Sequence, residues 1–214
     1  MTAPVFSHVR TWVFDLDNTL YPPAARLFDQ IEARMNAWVM RELRLSRAQA
    51  DALRAAYWRD HGTTLSGLML HHGVDPWPYL REVHDISMDA LAPDPALTAA
   101  IAALPGRRIV YTNGDAEYAA RVLAARGLSG AFDAIYGIEH ADWRPKPERA
   151  AFDRIFAADR LDPATAAMFE DDIRNLAVPH ALGMRTVHVG PAPDPQPHVH
   201  HHTADLPAFL SALP

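Results

Sequence analysis

The sequence predicts an α/β protein whose core is a doubly wound parallel sheet, with a helical segment inserted after the first strand. Two observations support this fold class. Short apolar runs alternate with helical patterns through the second half of the chain, as expected when crossover helices connect parallel strands. In addition, roughly ninety residues separate the first apolar run from the second, which is far more than one crossover needs.

The composition is that of a folded chain long enough for one core domain with a sizeable insertion. Of the 214 residues, 49% are hydrophobic and 21% are charged, which argues against disorder. The formal net charge of -6 at pH 7 provides no broad positive surface for a nucleic acid polymer or an anionic membrane, so we expect a small-molecule partner. The lack of cysteine excludes disulfides, thiolate metal sites and cysteine nucleophiles, and it fits a reducing compartment.

The sequence also bears on the location and the assembly of the protein. The segment from Met1 to His8 lacks the basic region and apolar stretch of a signal peptide, and no window reaches the apolar length of a membrane span. We therefore expect a cytoplasmic protein. The predicted helical faces leave room for a dimer but do not select one, so the expectation is a monomer or a homodimer.

The first predicted strand is the nearly all-apolar run at residues 11–16. A strand of a parallel sheet is buried on both faces, so a short continuous apolar run suits it. Similar runs recur at residues 108–112, 134–137, 167–170 and 185–189.

Helical patterns lie between the later runs. Residues 117–126 are rich in Ala, Leu and Arg and are followed by Gly127, a typical helix stop. Residues 147–159 begin with a proline, which is favoured at the first helical position, and residues 175–182 end at Gly183. The order of strand and helix predicts right-handed crossovers.

The long connection after the first strand predicts a helical cap over residues 22–90, which leaves residues 1–21 and 91–214 for the core. Residues 28–42 carry apolar side chains close to a 3.6-residue period. Residues 47–60 form a second predicted helix with Ser46 as its N-cap. Shorter helical patterns cover residues 65–72 and 79–83.

The last part of the chain is rich in proline and histidine. Residues 191–202 are predicted to be irregular, and residues 206–213 to form a short closing helix. A metal could bind in this tail, although no partner ligand spacing supports such a site. The imidazoles concerned are those of His198, His200, His201 and His202.

Two acidic side chains follow the first predicted strand. Ligands of an open parallel sheet gather at the carboxyl ends of its strands, so Asp15 and Asp17 emerge where a site is expected. One residue separates them, which points both side chains the same way if the chain stays extended. One Asp can accept a phosphoryl group as a nucleophile, and the other can protonate the leaving alcohol and then deprotonate water.

Two further segments carry groups suited to phosphate. The second predicted strand ends in Thr112, Asn113 and Gly114, where a hydroxyl and backbone amides can approach a phosphate because Gly114 has no side chain. Lys146 stands between two prolines at the start of a predicted helix. Its ammonium could neutralise phosphate and nucleophile together.

The fourth predicted strand ends in Glu170, Asp171 and Asp172. Adjacent acids at the end of a buried strand repel one another unless a cation is present. Their oxygens are the hard ligands that suit Mg²⁺, which is therefore the predicted cofactor. None of these pieces is specific alone, but their order along the chain is.

Together the motifs resemble those of the haloacid dehalogenase (HAD) superfamily, in the order typical of that family. The matching pieces are the DxDxT sequence from Asp15, a strand-end Thr, a Lys before a helix and an acidic pair. The resemblance covers essentially the whole chain and implies an HAD-type Rossmann-like core. It implies Asp15 as the nucleophile and Asp17 as the general acid and base. It also implies Thr112 and Lys146 as ligands of the phosphate.

The same resemblance implies a Mg²⁺ site. The ion would be held by Asp15, the backbone carbonyl of Asp17, and Asp171, with Glu170 nearby. Alignment to the family places its acidic pair on Glu170 and Asp171 and leaves Asp172 as the spare acid. If the register shifts by one residue, Asp172 is the ligand and Glu170 is structural.

The second Asp bears on the reaction. A dehalogenase of this superfamily also uses an Asp nucleophile but needs neither a second Asp nor a metal, so Asp17 and the acidic pair indicate phosphate chemistry. Residues 17–21, 57–62, 67–69, 84–97 and 169–175 are similar to the pyrimidine 5′-nucleotidase branch, which implies a phosphatase for UMP and CMP. A broad small-metabolite phosphatase and a sugar phosphomutase remain alternatives, and a non-catalytic scaffold is an alternative of another class.

A nucleotide substrate would place its base in the cap. Aromatic stacking and a few hydrogen bonds would orient the base. Tyr57, Arg59, His61 and Trp143 are the candidates for these contacts, and Asn113 and Gly114 are the candidates for contacts to the phosphate. The helical spacing of Tyr57 favours a place in the core of the cap over a contact with substrate.

Overall fold

The fold is organised around a parallel sheet whose central strand is β1 (Thr11–Phe14). The structure is a computed structural model that describes residues 3–213, so Met1, Thr2 and Pro214, which belong to the predicted core segments, lie outside the described residues. The other strands are β2 (Arg107–Tyr111), β3 (Ala134–Tyr136), β4 (Ala166–Glu170), β5 (Arg185–Val189) and β6 (His201–Thr203). Their order is β3-β2-β1-β4-β5-β6, and every neighbouring pair is parallel. The predicted doubly wound sheet is confirmed.

The side chains of β1 explain why its run is apolar. Val13 packs with Ile109 and Met168 on one face of the sheet. Phe14 packs on the opposite face, where its ring stacks on that of Phe169 with centroids 4.7 Å apart. All four residues of β1 are buried and three of them are apolar, and charged side chains begin only beyond its carboxyl end, at Asp15.

Helices cover both faces of the sheet and fill the connection after β1. Those within residues 3–213 are α1 (Ala3–Phe6), α2 (Leu27–Leu43), α3 (Arg47–His61), α4 (Thr64–His72), α5 (Pro76–Val83), α6 (Pro95–Ala103), α7 (Ala116–Ala125), α8 (Arg149–Asp159), α9 (Ala177–Ala181) and α10 (Leu206–Ser211). The predicted helices correspond to α2–α5 and α7–α10, with α8 beginning at Arg149 rather than at Pro147. A short 3-10 turn, Ile173–Leu176, precedes α9, and no helix is predicted where α1 and α6 lie. None of the described helices is long and apolar enough to cross a bilayer.

The helices α2 to α5 follow β1 in succession and share a hydrophobic cluster of their own. α3 and α4 approach closely at Gly67, where an added Cβ would lie 2.2 Å from Cγ of Tyr57. Ser46 caps α3 as predicted: its side chain accepts from the backbone N–H of Gln49, and the Gln49 side chain accepts from that of Ser46. The local sequence therefore sets the start of α3, and a missing side chain sets its distance from α4.

The segment after β5 differs from the prediction at its end. Residues 191–202 are predicted to be irregular, but His201 begins β6, which pairs in parallel with Val187 and the residues after it. The reason is tertiary, because the edge of β5 offers backbone hydrogen bonds that the local polar sequence does not signal.

The histidines of this segment make separate contacts. His198 Nε2 donates to the Ile173 carbonyl at 2.9 Å, His202 Nε2 donates to the Gly190 carbonyl at 2.8 Å, and His200 Nδ1 lies 2.8 Å from Thr186 Oγ1. His201 packs against the ring of Phe6. In this structure the four imidazoles attach β6 and the residues just before it to the rest of the core.

Candidate active site

Lys146 connects the ends of three neighbouring strands, β2, β1 and β4. Its ammonium donates to Asp15 Oδ1 at 2.7 Å, to Glu170 Oε2 at 2.6 Å and to the Tyr111 carbonyl at 3.0 Å. A lysine has three N–H donors, and each has one acceptor here. Asp15 and Lys146 are 131 residues apart in the sequence, and the sheet brings them into a direct, buried, charge-assisted contact.

Three carboxylates meet at this point. Asp15, Glu170 and Asp171 each offer an oxygen, and these oxygens all lie within 4.8 Å of one another. Burial and the negative charge of Asp15 raise the pKa of Glu170 well above its ordinary value, and the same causes raise the pKa of Asp171 to about 7. Lys146 supplies one positive charge against three acids, so a further cation would stabilise their ionised forms. A cluster of carboxylate oxygens fits Mg²⁺.

Asp172 is engaged elsewhere. Its carboxylate accepts Arg174 Nη2 at 2.6 Å and Nε at 3.0 Å, and it caps the turn Ile173–Leu176 through the Arg174 backbone N–H. Glu170 uses one oxygen for Lys146, and its other oxygen accepts the Asp172 backbone N–H at 3.3 Å. Among the described residues, the group of possible metal ligands therefore includes Asp171 and not Asp172.

Asp17 is held by two tyrosines that the sequence motifs leave without a role. The Tyr21 hydroxyl donates to Asp17 Oδ1 at 2.6 Å, and the Tyr118 hydroxyl donates to the same oxygen at 2.7 Å. Burial raises the pKa of Asp17, the charge of Asp15 adds to this increase, and the two tyrosine hydrogen bonds oppose it without cancelling it. Tyr21 could have been noticed as part of the motif after Asp17, whereas Tyr118 is 101 residues away and carries no local signal.

The turn after β2 carries the residues that are predicted to bind the phosphate. Thr112 Oγ1 accepts the backbone N–H of Gly114 at 3.0 Å. The Asn113 side chain donates to the Lys146 carbonyl at 3.1 Å and accepts the Lys146 backbone N–H at 2.8 Å. Asn113 therefore fixes the loop that carries Lys146, and these residues line one cavity together with Asp15 and Asp17.

A buried histidine that the sequence motifs do not single out also lines this cavity. His84 Nδ1 donates to Asp115 Oδ2 at 2.6 Å, and the ring stacks on Tyr118 with centroids 4.2 Å apart. Burial raises the pKa of Asp115, but the hydrogen bond and charge of His84 together lower it below its ordinary value. His84 ends α5 and Asp115 caps α7, so the pair joins the inserted helices to a helix of the core.

The cavity measures about 610 Å³ and extends from the strand ends to the inserted helices, a size suited to a small molecule. Arg54 and Trp58 of α3 line it, as does Tyr79 of α5. Trp58 lies over the guanidinium of Arg174, 3.6 Å from ring centroid to Cζ. Side chains from α3 and from the turn after β4 thus meet at the cavity wall.

The four side chains predicted to contact a base are not among the residues that line this cavity, and Arg59 pairs with Asp60 instead. The Tyr57 hydroxyl lies 2.8 Å from His72 Nε2, and its ring is part of the cluster inside α2–α5. His61 Nε2 lies 3.0 Å from His71 Nε2. Trp143 packs edge-on against the ring of Trp77. Each has its contacts within or beside the inserted helices.

Comparison with known proteins places this geometry in a family. The family model of the haloacid dehalogenase-like hydrolases matches residues 9–183. Phosphate metabolism protein 8 of Saccharomyces cerevisiae is 25% identical over 197 residues. That match covers 84% of this chain but only 60% of the yeast protein, so the chain spans less than two thirds of the length of that relative.

Solved structures share the fold. The HAD-hydrolase YfnB of Bacillus subtilis, solved with magnesium bound, is similar with a TM-score of 0.60 and 18% identity, over 96% of this chain and 98% of that one. The 2-haloacid dehalogenase of Pseudomonas syringae pv. tomato is similar with a TM-score of 0.58 and 18% identity, over 94% and 96% of the two chains. At these identities the likeness concerns the fold and leaves the chemistry to the site residues.

Proposed function

The chain belongs to the haloacid dehalogenase-like hydrolases, and from this we propose that it is a magnesium-dependent phosphatase for pyrimidine nucleoside 5′-monophosphates such as UMP and CMP. The observation that carries the proposal is the pair Asp15 and Asp17, which line one cavity at the end of β1 beside the acidic group with Asp171. A dehalogenase of this superfamily needs only the first Asp and no metal. The additional acids therefore favour phosphate transfer over cleavage of a carbon–halogen bond.

Asp15 is the nucleophile in the proposed reaction. Lys146 binds its Oδ1, which leaves Oδ2 to attack phosphorus and form an aspartyl-phosphate. The positive charge of Lys146 reduces the repulsion between this carboxylate and the phosphate dianion. Thr112 and the turn at Asn113 and Gly114 hold the phosphate oxygens in line with the attack.

Asp17 is the general acid and base of the proposed reaction. Its raised pKa favours the protonated form that must donate to the leaving oxygen. Tyr21 and Tyr118 both bind Oδ1, so Oδ2 is the oxygen that carries the proton. After the leaving group departs, the same carboxylate removes a proton from the water that hydrolyses the aspartyl-phosphate.

The metal site follows from the same residues. Asp15, Asp171 and the backbone carbonyl of Asp17 would hold Mg²⁺, with Glu170 beside them and bound to Lys146. When bound, the ion would neutralise charge on the phosphate and fix its orientation. The likeness to a yeast protein named for phosphate metabolism supports the choice of phosphate as the transferred group.

The inserted helices complete the proposal. We assign residues 22–90 to a cap and residues 1–21 and 91–214 to the catalytic core. The cap would exclude bulk water during transfer and open for product release, and the contact of Trp58 with Arg174 would close the cavity wall between the two parts. A cytoplasmic location and a monomer or homodimer belong to the proposal as expected from the sequence.

The test is phosphate release, with and without Mg²⁺, from a panel of phosphomonoesters. The panel contains UMP, CMP, dUMP, AMP, GMP, phosphoglycolate, glucose phosphates and a chromogenic ester. Magnesium-dependent release with a clear preference for UMP and CMP is the expected result. Equal release from unrelated esters would replace the nucleotide assignment with a broad small-metabolite phosphatase. Absence of release from every ester by the folded protein with Mg²⁺ would reject the proposal.

A further inference from the structure

The wall of the cavity formed by α3 contains a buried cation with an unused donor. Arg54 is 9% exposed and lines the cavity from α3. Its Nη2 donates to Glu32 Oε1 on α2 at 2.9 Å, and Nη1 is 3.9 Å from Asp51. Its Nε–H has no acceptor among residues 3–213. A buried N–H without an acceptor is costly, so this donor is expected to have a ligand as its partner.

Tyr79 is a second unused polar group in the lining of the same cavity. Its side chain is 1% exposed, and its hydroxyl has no partner within the described part of the chain. Burial raises the pKa of Tyr79, while the charge of Arg54 partly offsets that increase, so the hydroxyl stays a neutral donor. The side chains that carry these two unsatisfied donors, one on α3 and one on α5, thus line the same cavity, and both groups can donate to an oxygen acceptor.

Apolar side chains share the cavity wall with these donors, beside the acids Glu32 and Asp51 that contact Arg54. Apart from the rings of Tyr79 and His84, the aliphatic and aromatic side chains of the described residues that line the cavity are Phe28, Ile31, Met35, Ala55, Trp58, Leu65 and Leu80. Trp58 is 52% exposed and is held at the wall by Arg174. An apolar lining with a few fixed polar groups is typical of sites that bind a flat ring and orient it by its polar edge.

We infer that Arg54 and Tyr79 form the recognition site for the leaving group, and that they bind a ring carbonyl oxygen of an unsaturated heterocycle. This inference rests on the proposed phosphatase function, and it gives a physical reason for the proposed preference for pyrimidine nucleotides. Uracil and cytosine share a ring carbonyl next to the ribosyl-bearing nitrogen, whereas adenine has none. A site built around donors discriminates strongly against a ligand that leaves them unpaired. Glu32 holds the guanidinium through Nη2 and leaves Nε for the ligand.

The test compares UMP with ribose 5-phosphate, which differ only in the presence of the base. For the unmodified enzyme kcat/KM is expected to favour UMP. Arg54→Met and Arg54→Lys should reduce the ratio of the two kcat/KM values about tenfold or more, because each removes the Nε donor. Tyr79→Phe should reduce the ratio less. Arg59→Met is the matched control on α3, because Arg59 is exposed, pairs with Asp60 and does not line the cavity.

The outcomes separate this inference from the proposed function. The recognition site would be rejected if the unmodified enzyme showed no preference for UMP, or if the Arg54 and Tyr79 variants kept that preference. Phosphate release in either case would still support the proposed phosphatase reaction. If neither ester is hydrolysed, calorimetric binding of UMP and ribose 5-phosphate to the unmodified protein tests the site directly. Tighter binding of UMP that is lost in Tyr79→Phe or Arg54→Lys supports it, and equal binding rejects it.

Discussion

Replacing Lys146 by methionine tests the electrostatic arrangement of the site most directly. Methionine keeps most of the length and apolar volume of the side chain and removes only the ammonium. The change deprives Asp15, Glu170 and the Tyr111 carbonyl of their donor at once, at distances of 2.6–3.0 Å. The resulting loss of stability therefore reports on charge and hydrogen bonding more than on packing.

The expected loss is large relative to the stability of a domain. Breaking a buried ion pair by removing one partner costs about 3–5 kcal/mol, against a total free energy of unfolding of about 5–15 kcal/mol. The loss must depend on pH. Without Lys146 the pKa of Glu170, already raised by burial and Asp15, rises further above its value in the unfolded chain. In the variant, protonation of Glu170 at low pH removes its unpaired buried charge. Stability is then lost as pH rises through the folded-state pKa of Glu170.

The assay is urea unfolding of unmodified and variant protein at pH 5 and pH 8 without divalent cations. Arg149→Met is the control, because Arg149 forms an exposed ion pair with Asp153 one helical turn away. That pair should contribute under about 1 kcal/mol at either pH. A Lys146→Met loss no larger than the control at pH 8, or larger at pH 5 than at pH 8, would refute the electrostatic account of the site.

Three further predictions concern the reacting groups. Asp15→Asn should abolish phosphate release while the circular dichroism spectrum stays that of the unmodified protein, and full activity would remove Asp15 as nucleophile. Tyr118→Phe should raise the pKa of Asp17 by removing a hydrogen bond to its ionised form, which moves the matching limb of the pH–rate profile to higher pH; an unshifted limb contradicts this role. In metal-free protein the pKa of Asp171 is raised to about 7, so its contribution to the free energy of unfolding is present below about pH 4 and lost as pH rises through 7. Mg²⁺ should flatten this decline in urea titrations, and a flat profile without Mg²⁺ would count against the acidic cluster.

The strands and the residues that follow them could be predicted because burial dictates their sequence. Three of the four side chains of β1 are apolar because both of its faces are covered, so the change from Phe14 to Asp15 marks the point where the chain leaves the sheet. The parallel order then brings the ends of β1 and β4 together, as the contact between Lys146, Asp15 and Glu170 shows. β6 could not be predicted in this way, because its polar residues are ordered by pairing with β5.

The face of α3 that lines the cavity was harder to predict, since a helical period gives the spacing of side chains but not the direction in which they point. Tyr57 is directed to the contact between α3 and α4 by the absence of a side chain at Gly67. Arg54 and Trp58, one turn apart on the same helix, line the cavity together with Asp51. Positions 51, 54, 55 and 58 repeat at helical spacing, so the pattern was present in the sequence. What it lacked was a reason to assign that face to the cavity rather than to solvent.

The lysine at position 146 shows how the chemistry of a site can override composition. The chain has 20 Lys and Arg residues, and Lys146 is its only lysine. An ammonium is a compact charge with three donors. At this position three acceptors surround it, and Lys146 is 1% exposed. A guanidinium is planar, larger and arranged as a fork, so it matches one carboxylate edge better than acceptors from three chain segments. A chain that otherwise uses arginine for every fixed positive charge thus has lysine where geometry requires a point charge between Asp15 and Glu170.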